Sequence, residues 1–83
     1  MLNGRRRDSG VLTKTEKEIL LLLAQGASAR ETADAASLRL PTVERYIVRL
    51  RFKMRARNTP HLIALAFLKG ALKVVTGVIT ISE

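Results

Sequence analysis

Ser28-Ala29-Arg30-Glu31-Thr32-Ala33-Asp34-Ala35-Ala36-Ser37-Leu38-Arg39-Leu40-Pro41-Thr42-Val43-Glu44-Arg45-Tyr46 decides the fold. It encodes two helices with a short turn between them. Ser28 and Glu31 have capping-box spacing, in which a hydroxyl and a carboxylate satisfy free amides at a helix start. The helix they open, Ala29 to about Ala36, turns small residues inward: Thr32, Ala33 and either Ala35 or Ala36. Small side chains let a second helix approach closely. Ser37-Leu38-Arg39 forms the turn, with Leu38 directed inward. The next helix runs from Leu40 to about Arg55. Pro41 is tolerated there because first-turn amides have no helical acceptor.

Val43, Tyr46, Ile47, Leu50 and Met54 recur at helical spacing and form one apolar stripe. The opposite face carries Pro41, Arg45, Val48, Arg49 and Phe52, while Arg51, Lys53, Arg55 and Arg57 lie at the flanks or beyond. Between residues 39 and 57 seven residues are basic and one, Glu44, is acidic, so this segment holds +6 of the chain's +8. A merely solvated helix face usually mixes its signs. A predominantly basic segment favours a polyanionic partner, nucleic acid ahead of an anionic membrane.

Upstream, a helix is expected from about Lys14 to Gln25. Thr13 with Glu16 forms a capping box, and Thr15 with Glu18 repeats the spacing two residues later. Ile19, Leu20, Leu22 and Leu23 supply its buried side, and Gly26 takes the left-handed conformation that ends a helix. Downstream, Asn58-Thr59-Pro60 opens a fourth helix that extends to about Lys69 or Leu72. Leu62, Ile63, Leu65, Ala66, Phe67 and Leu68 leave it apolar nearly all round, a surplus that predicts a subunit interface. His61, in its first turn, reads as a core-edge or solvated residue.

Residues 73–83 change character. Val74, Val75, Thr76, Val78, Ile79, Thr80 and Ile81 are mostly β-branched, with Gly77 as a break. One strand alone is not stable. The segment therefore pairs with its copy in a second subunit, extends the fourth helix, or remains an apolar tail. Residues 1–10, with Arg5-Arg6-Arg7, read as a disordered basic tail, either solvated or an arm that reaches DNA.

At 83 residues the chain is one domain, marginal unless its helices pack tightly or a second subunit adds buried area. With no cysteine and a single histidine, neither disulfides nor thiolate or multi-histidine metal sites can form, and no cofactor is expected. No paired carboxylates, nucleophile with a base, or glycine-rich phosphate loop suggests an enzyme. One Tyr and two Phe are too few for a base-stacking platform on RNA. The apolar stretch 62–81 is interrupted by Lys69, Gly70, Lys73 and Gly77, so no membrane helix is expected. No signal peptide is visible, and the expected location is cytoplasmic.

Taken in order, Leu12-Thr13-Lys14-Thr15-Glu16-Lys17-Glu18-Ile19-Leu20, Leu23-Ala24, Gly26, Ser28-Ala29-Arg30-Glu31-Thr32-Ala33, Thr42-Val43, Leu50, Lys53-Met54 and Asn58-Thr59-Pro60-His61-Leu62-Ile63-Ala64-Leu65-Ala66 closely resemble the LuxR/GerE-type helix-turn-helix DNA-binding domain. The resemblance covers roughly residues 11–72. It implies an all-α, four-helix fold with the third helix in the major groove and dimerisation through the fourth. Here that fold carries a short β-like or extended C-terminal tail. By position the resemblance implies a phosphate contact for Thr42, which is equally suited to a local first-turn hydrogen bond. It implies groove contacts for Glu44, Arg45, Val48 and Arg49, and backbone contact for Lys53. Arg55 and Arg57 add charge, and Leu62, Leu65, Ala66, Phe67 and Lys69 are the expected dimer residues.

The chain departs from the family pattern at four places. Arg39 replaces the usual serine or threonine cap, Glu44 a basic residue, Tyr46 a histidine, and Ala36 a larger apolar residue. Glu44 repels phosphate but suits the amino group of cytosine, and Val48 suits a thymine methyl. Phe52 faces outward, which assigns it to packing under the N-terminal arm or C-terminal tail, or to anchoring a protein partner. The chain resembles the short standalone members of the family. The expected function is a homodimeric, sequence-specific transcription regulator of double-stranded DNA. The alternative is a protein-interaction module on the same fold that binds RNA polymerase or sequesters a related regulator.

Overall fold

The computed structural model describes residues 11–82. The expected N-terminal tail, residues 1–10, lies outside the described residues. Four helices lead into a two-stranded antiparallel sheet: α1 (Lys14–Ala24), α2 (Ala29–Ala36), α3 (Leu40–Met54), α4 (Thr59–Leu68), β1 (Leu72–Val75) and β2 (Val78–Ile81).

Both expected capping boxes form. At α1 the Glu16 amide donates to Thr13 Oγ1 at 3.1 Å and the Thr13 amide to Glu16 Oε1 at 2.8 Å, which settles the start on Thr13 rather than Thr15. At α2 the Glu31 amide donates to Ser28 Oγ at 3.0 Å and the Ser28 amide to Glu31 Oε1 at 2.8 Å. Asn58 Oδ1 accepts from the His61 amide at 2.9 Å to open α4. Arg39 stands at the start of α3 and makes no side-chain cap. Gly26, at φ +100°, closes α1 in the left-handed conformation that costs glycine nothing.

Ile19, Leu20, Leu50, Met54, Leu62, Ala66 and Leu72 form the core, with Val43 also fully buried. From α2, Thr32 and Ala33 face inward, and Ala36 is half-buried while Ala35 is exposed. α1 is the hub, packing on α2, α3, α4 and β2. On α3, Val43, Leu50 and Met54 are buried and Tyr46 and Ile47 half-buried, as the stripe requires.

The C-terminal segment is neither a helix extension nor a loose tail. It folds back on itself, with Leu72 opposite Ile81, Lys73 opposite Thr80, Val74 opposite Ile79 and Val75 opposite Val78. The two-residue turn is Thr76-Gly77, both at positive φ (52° and 79°), as a type I′ hairpin turn demands. Leu72 is buried, Ile79 and Ile81 pack on the core, and Gln25 Nε2 donates to the Ile79 carbonyl at 3.4 Å. The hairpin thus covers part of the apolar surface predicted to seek a second subunit. Among the described residues no helix is long and apolar enough to cross a membrane.

Candidate nucleic-acid interface

The outer face of α3 is the chemically distinctive surface. Glu44, Arg45, Val48, Arg49, Phe52 and Arg55 are all exposed along it, on the side opposite the buried Val43, Leu50 and Met54. The geometry therefore brings Glu44, Arg45, Val48 and Arg49 together as expected. Arg49 lies over the Tyr46 ring, with its guanidinium carbon 5.5 Å from the ring centroid. That stacking orients a long side chain without removing its charge. Thr42, in the first turn, is half-buried, and its amide donates to the Arg39 carbonyl at 3.0 Å. Phe52 is 86% exposed, so the C-terminal hairpin does not cover it.

Lys53 is placed differently from the expectation. Its ammonium points inward and donates to Glu16 Oε1 at 2.9 Å and to the Val11 carbonyl at 2.8 Å. Only 13% of the Lys53 side chain and 3% of that of Glu16 are exposed. Burial pushes the Glu16 carboxyl up, but the Thr13 amide and the Lys53 ammonium outweigh it and hold the group below its ordinary value. The pair joins the first turn of α1 to the last turn of α3. Lys53 thus ties α3 to α1, with its ammonium already paired within the domain.

The basic residues that follow α3 are held by a small network. Arg55 ends the helix in the left-handed conformation, at φ 59°. Arg51 Nη2 donates to the Arg57 carbonyl at 3.0 Å, and the Arg57 amide donates to His61 Nδ1 at 3.0 Å. The backbone of this loop is therefore fixed while the Arg55 and Arg57 side chains remain exposed. Neither the Glu16–Lys53 pair nor the use of His61 as an acceptor has a local signal in the sequence. Glu16 and Lys53 stand 37 residues apart.

The expected dimer residues divide. Leu62 and Ala66 are fully buried in the domain's own core and are unavailable to a second subunit. Leu65 and Phe67 are half-buried, and Lys69 is exposed. The surface that remains apolar on α4 is centred on Leu68, which is 80% exposed. Helical periodicity could not separate these positions, because nearly every residue of α4 is apolar.

A search of the curated proteins returns no match. Among solved structures, the chain is similar to the Vibrio cholerae VqmA dimer, a LuxR-type receptor described as undergoing a huge conformation shift in the absence of target DNA. The two are 38% identical with a TM-score of 0.71 over 77% of this chain and 29% of that one. It is also similar to a phage VqmA in complex with DPO (35% identity, TM-score 0.68, 72% and 28% of the two chains). A third similar structure is VqmA bound to DPO (37% identity, TM-score 0.67, 71% and 30%). The chain spans less than a third of the length of these proteins. Residues 10–66 match the model of the luxR family of bacterial regulatory proteins, and the chain belongs to that family.

Proposed function

We propose that this chain is a sequence-specific DNA-binding transcription regulator that acts as a homodimer with α3 in the major groove. The observation that carries the reading is the outer face of α3, where exposed arginines stand on a helix whose other side is fixed in the core. A helix fits the major groove in width, and arginine is the commonest reader of guanine there, at about 1–3 kcal/mol per good bidentate contact. Arg45 and Arg49 take that role, and Glu44 accepts from a cytosine amino group. Thr42, Arg55 and Arg57 contact the backbone. Lys53 acts through Glu16 by holding α3 at its angle.

Two copies set their α3 helices about 34 Å apart, one turn of duplex. Leu68, with Leu65, Phe67 and Lys69 beside it, is the proposed dimer face, and the exposed Val75 and Val78 of the hairpin extend the available apolar surface. The dimeric state of the Vibrio cholerae VqmA structure supports this part of the reading. Selection of bound DNA from a random pool tests the whole. The expected product is an inverted repeat with half-sites one helical turn apart, and a pool without enrichment refutes sequence-specific binding. Sedimentation of a lone monomer mass, both free and on DNA, refutes the dimer.

The exposure of Phe52 and Leu68 favours a second reading, a module that docks on RNA polymerase or a related regulator. The paired change Arg45→Ala/Arg49→Ala separates the two readings. It abolishes regulation in the first and leaves it intact in the second.

A further inference from the structure

The arginines are not at the centre of the exposed face of α3. At about 100° per residue, Val48 and Phe52 lie about 20° to either side of its midline, Arg45 about 40° out, and Glu44 and Arg49 about 60–80° out, with Arg55 just past the helix end. The line of the helix that protrudes farthest is therefore apolar, with Val48 61% and Phe52 86% exposed. Charge is confined to its flanks. Among the described residues no side chain covers the Phe52 ring, and an aromatic ring left in water forgoes most of its stabilisation.

We infer that Val48 and Phe52 form an apolar crest that reads thymine 5-methyl groups on the floor of the major groove, and so set the base preference of this chain. The inference rests on α3 entering the groove. The thymine methyl is the one apolar group that the bases present there. Arg45 and Arg49 stand on one flank, and Glu44 on the other with Arg55 just past the helix end, so the crest lies between charged side chains and faces the bases. The two residues are one helical turn apart, about 6 Å along the axis. That is close to two base-pair steps at about 3.4 Å each. Each half-site is accordingly read through thymines one or two steps apart, with Arg45 and Arg49 reading guanines beside them.

The test uses the full chain and the DNA enriched from a random pool. Each thymine is replaced singly by deoxyuridine, which removes the 5-methyl group and leaves every hydrogen-bonding group in place. Binding is expected to weaken about four-fold at one or two positions per half-site, the worth of one buried methyl-sized group. In Val48→Ala and Phe52→Ala the ratio between thymine and uracil sites falls towards one at the position each residue covers. Arg45→Ala, the control, weakens binding but keeps the ratio. Both crest residues are exposed, so the variants retain the parent's helical circular dichroism and melting temperature. Enriched sites bound equally well with uracil overturn the inference and leave groove binding standing. An unchanged ratio in Phe52→Ala overturns it for the ring and assigns the ring to a protein partner. A pool from which nothing is enriched overturns the DNA reading and the inference together.

Discussion

The helices α1 and α3 pack against each other in the core, yet their ends are built on opposite principles. α1 begins at Thr13, whose side chain closes a capping box with Glu16, and ends before Gly26 in the left-handed conformation. α3 begins at Arg39, which caps nothing, and ends at Arg55, which holds the left-handed conformation against the preference of a side chain. At each end the residue that stabilises a helix best has been replaced by a positive charge. α3 gives up local stability where α1 secures it, and recovers its position from outside, through the Glu16–Lys53 pair. The difference accords with the proposed role of α3 as the helix that meets a partner.

The largest test of this contrast is Lys53→Met. It leaves the Glu16 charge buried without a counter-ion, and removal of one member of a buried pair costs about 3–5 kcal/mol. The low end of that range, about 3 kcal/mol in urea unfolding, is expected, since Glu16 keeps its bonds at the Thr13 cap. An unchanged midpoint would mean that α3 is held by apolar contacts alone.

The helix ends come next. Ser28→Ala should cost about 1 kcal/mol as the α2 cap is lost. Arg39→Ser should do the reverse, gaining up to about 1 kcal/mol by supplying the cap that α3 lacks, while weakening DNA binding by removing one positive charge beside the helix start. Arg55→Gly should also stabilise, by about 1 kcal/mol, through relief of the left-handed strain, again with weaker binding. If either arginine variant lost stability, or gained it at no cost to affinity, the contrast between the two helices would fail.

The smallest effect is on pH dependence. The carboxyl of Glu16 is held below its ordinary value of 4.5. Its contribution is therefore complete above that value, where the group is ionised in both states, and is lost as pH falls through the lower value of the folded protein. Urea midpoints measured from pH 7 down to 3 should fall more steeply for the parent than for Glu16→Gln. Parallel curves would show that the pair adds no pH-linked stability.

Much of the fold is legible in the chain because its signals are local. Thr13, Ser28 and Asn58 mark helix starts at short range, and the stripe of α3 needs only its own spacing. The turn of the hairpin was hidden because Thr76-Gly77 is not one of the common Asn-Gly or Asp-Gly pairs, and a β-branched residue at positive φ is rare. The outer face of α3 was legible for the same reason as its inner face, since the two are complementary halves of one period. Lys53 was not, because a lysine bound for phosphate and a lysine bound for a buried carboxylate look alike until the chain is folded. The α4 residues failed for want of contrast. Leu62 and Leu65 differ in burial but not in type.

The Glu16–Lys53 pair also bears on the counter-ions displaced when a duplex binds. Each phosphate neutralised by protein lowers the slope of log K against log salt by about 0.9. Seven basic residues stand between positions 39 and 57. One of them, Lys53, is already neutralised within the protein and releases no counter-ion. The slope per subunit should therefore fall short by about 0.9 of what that count suggests. A paired Lys53→Met/Glu16→Gln variant, which removes both charges together, should respond to salt identically to its parent.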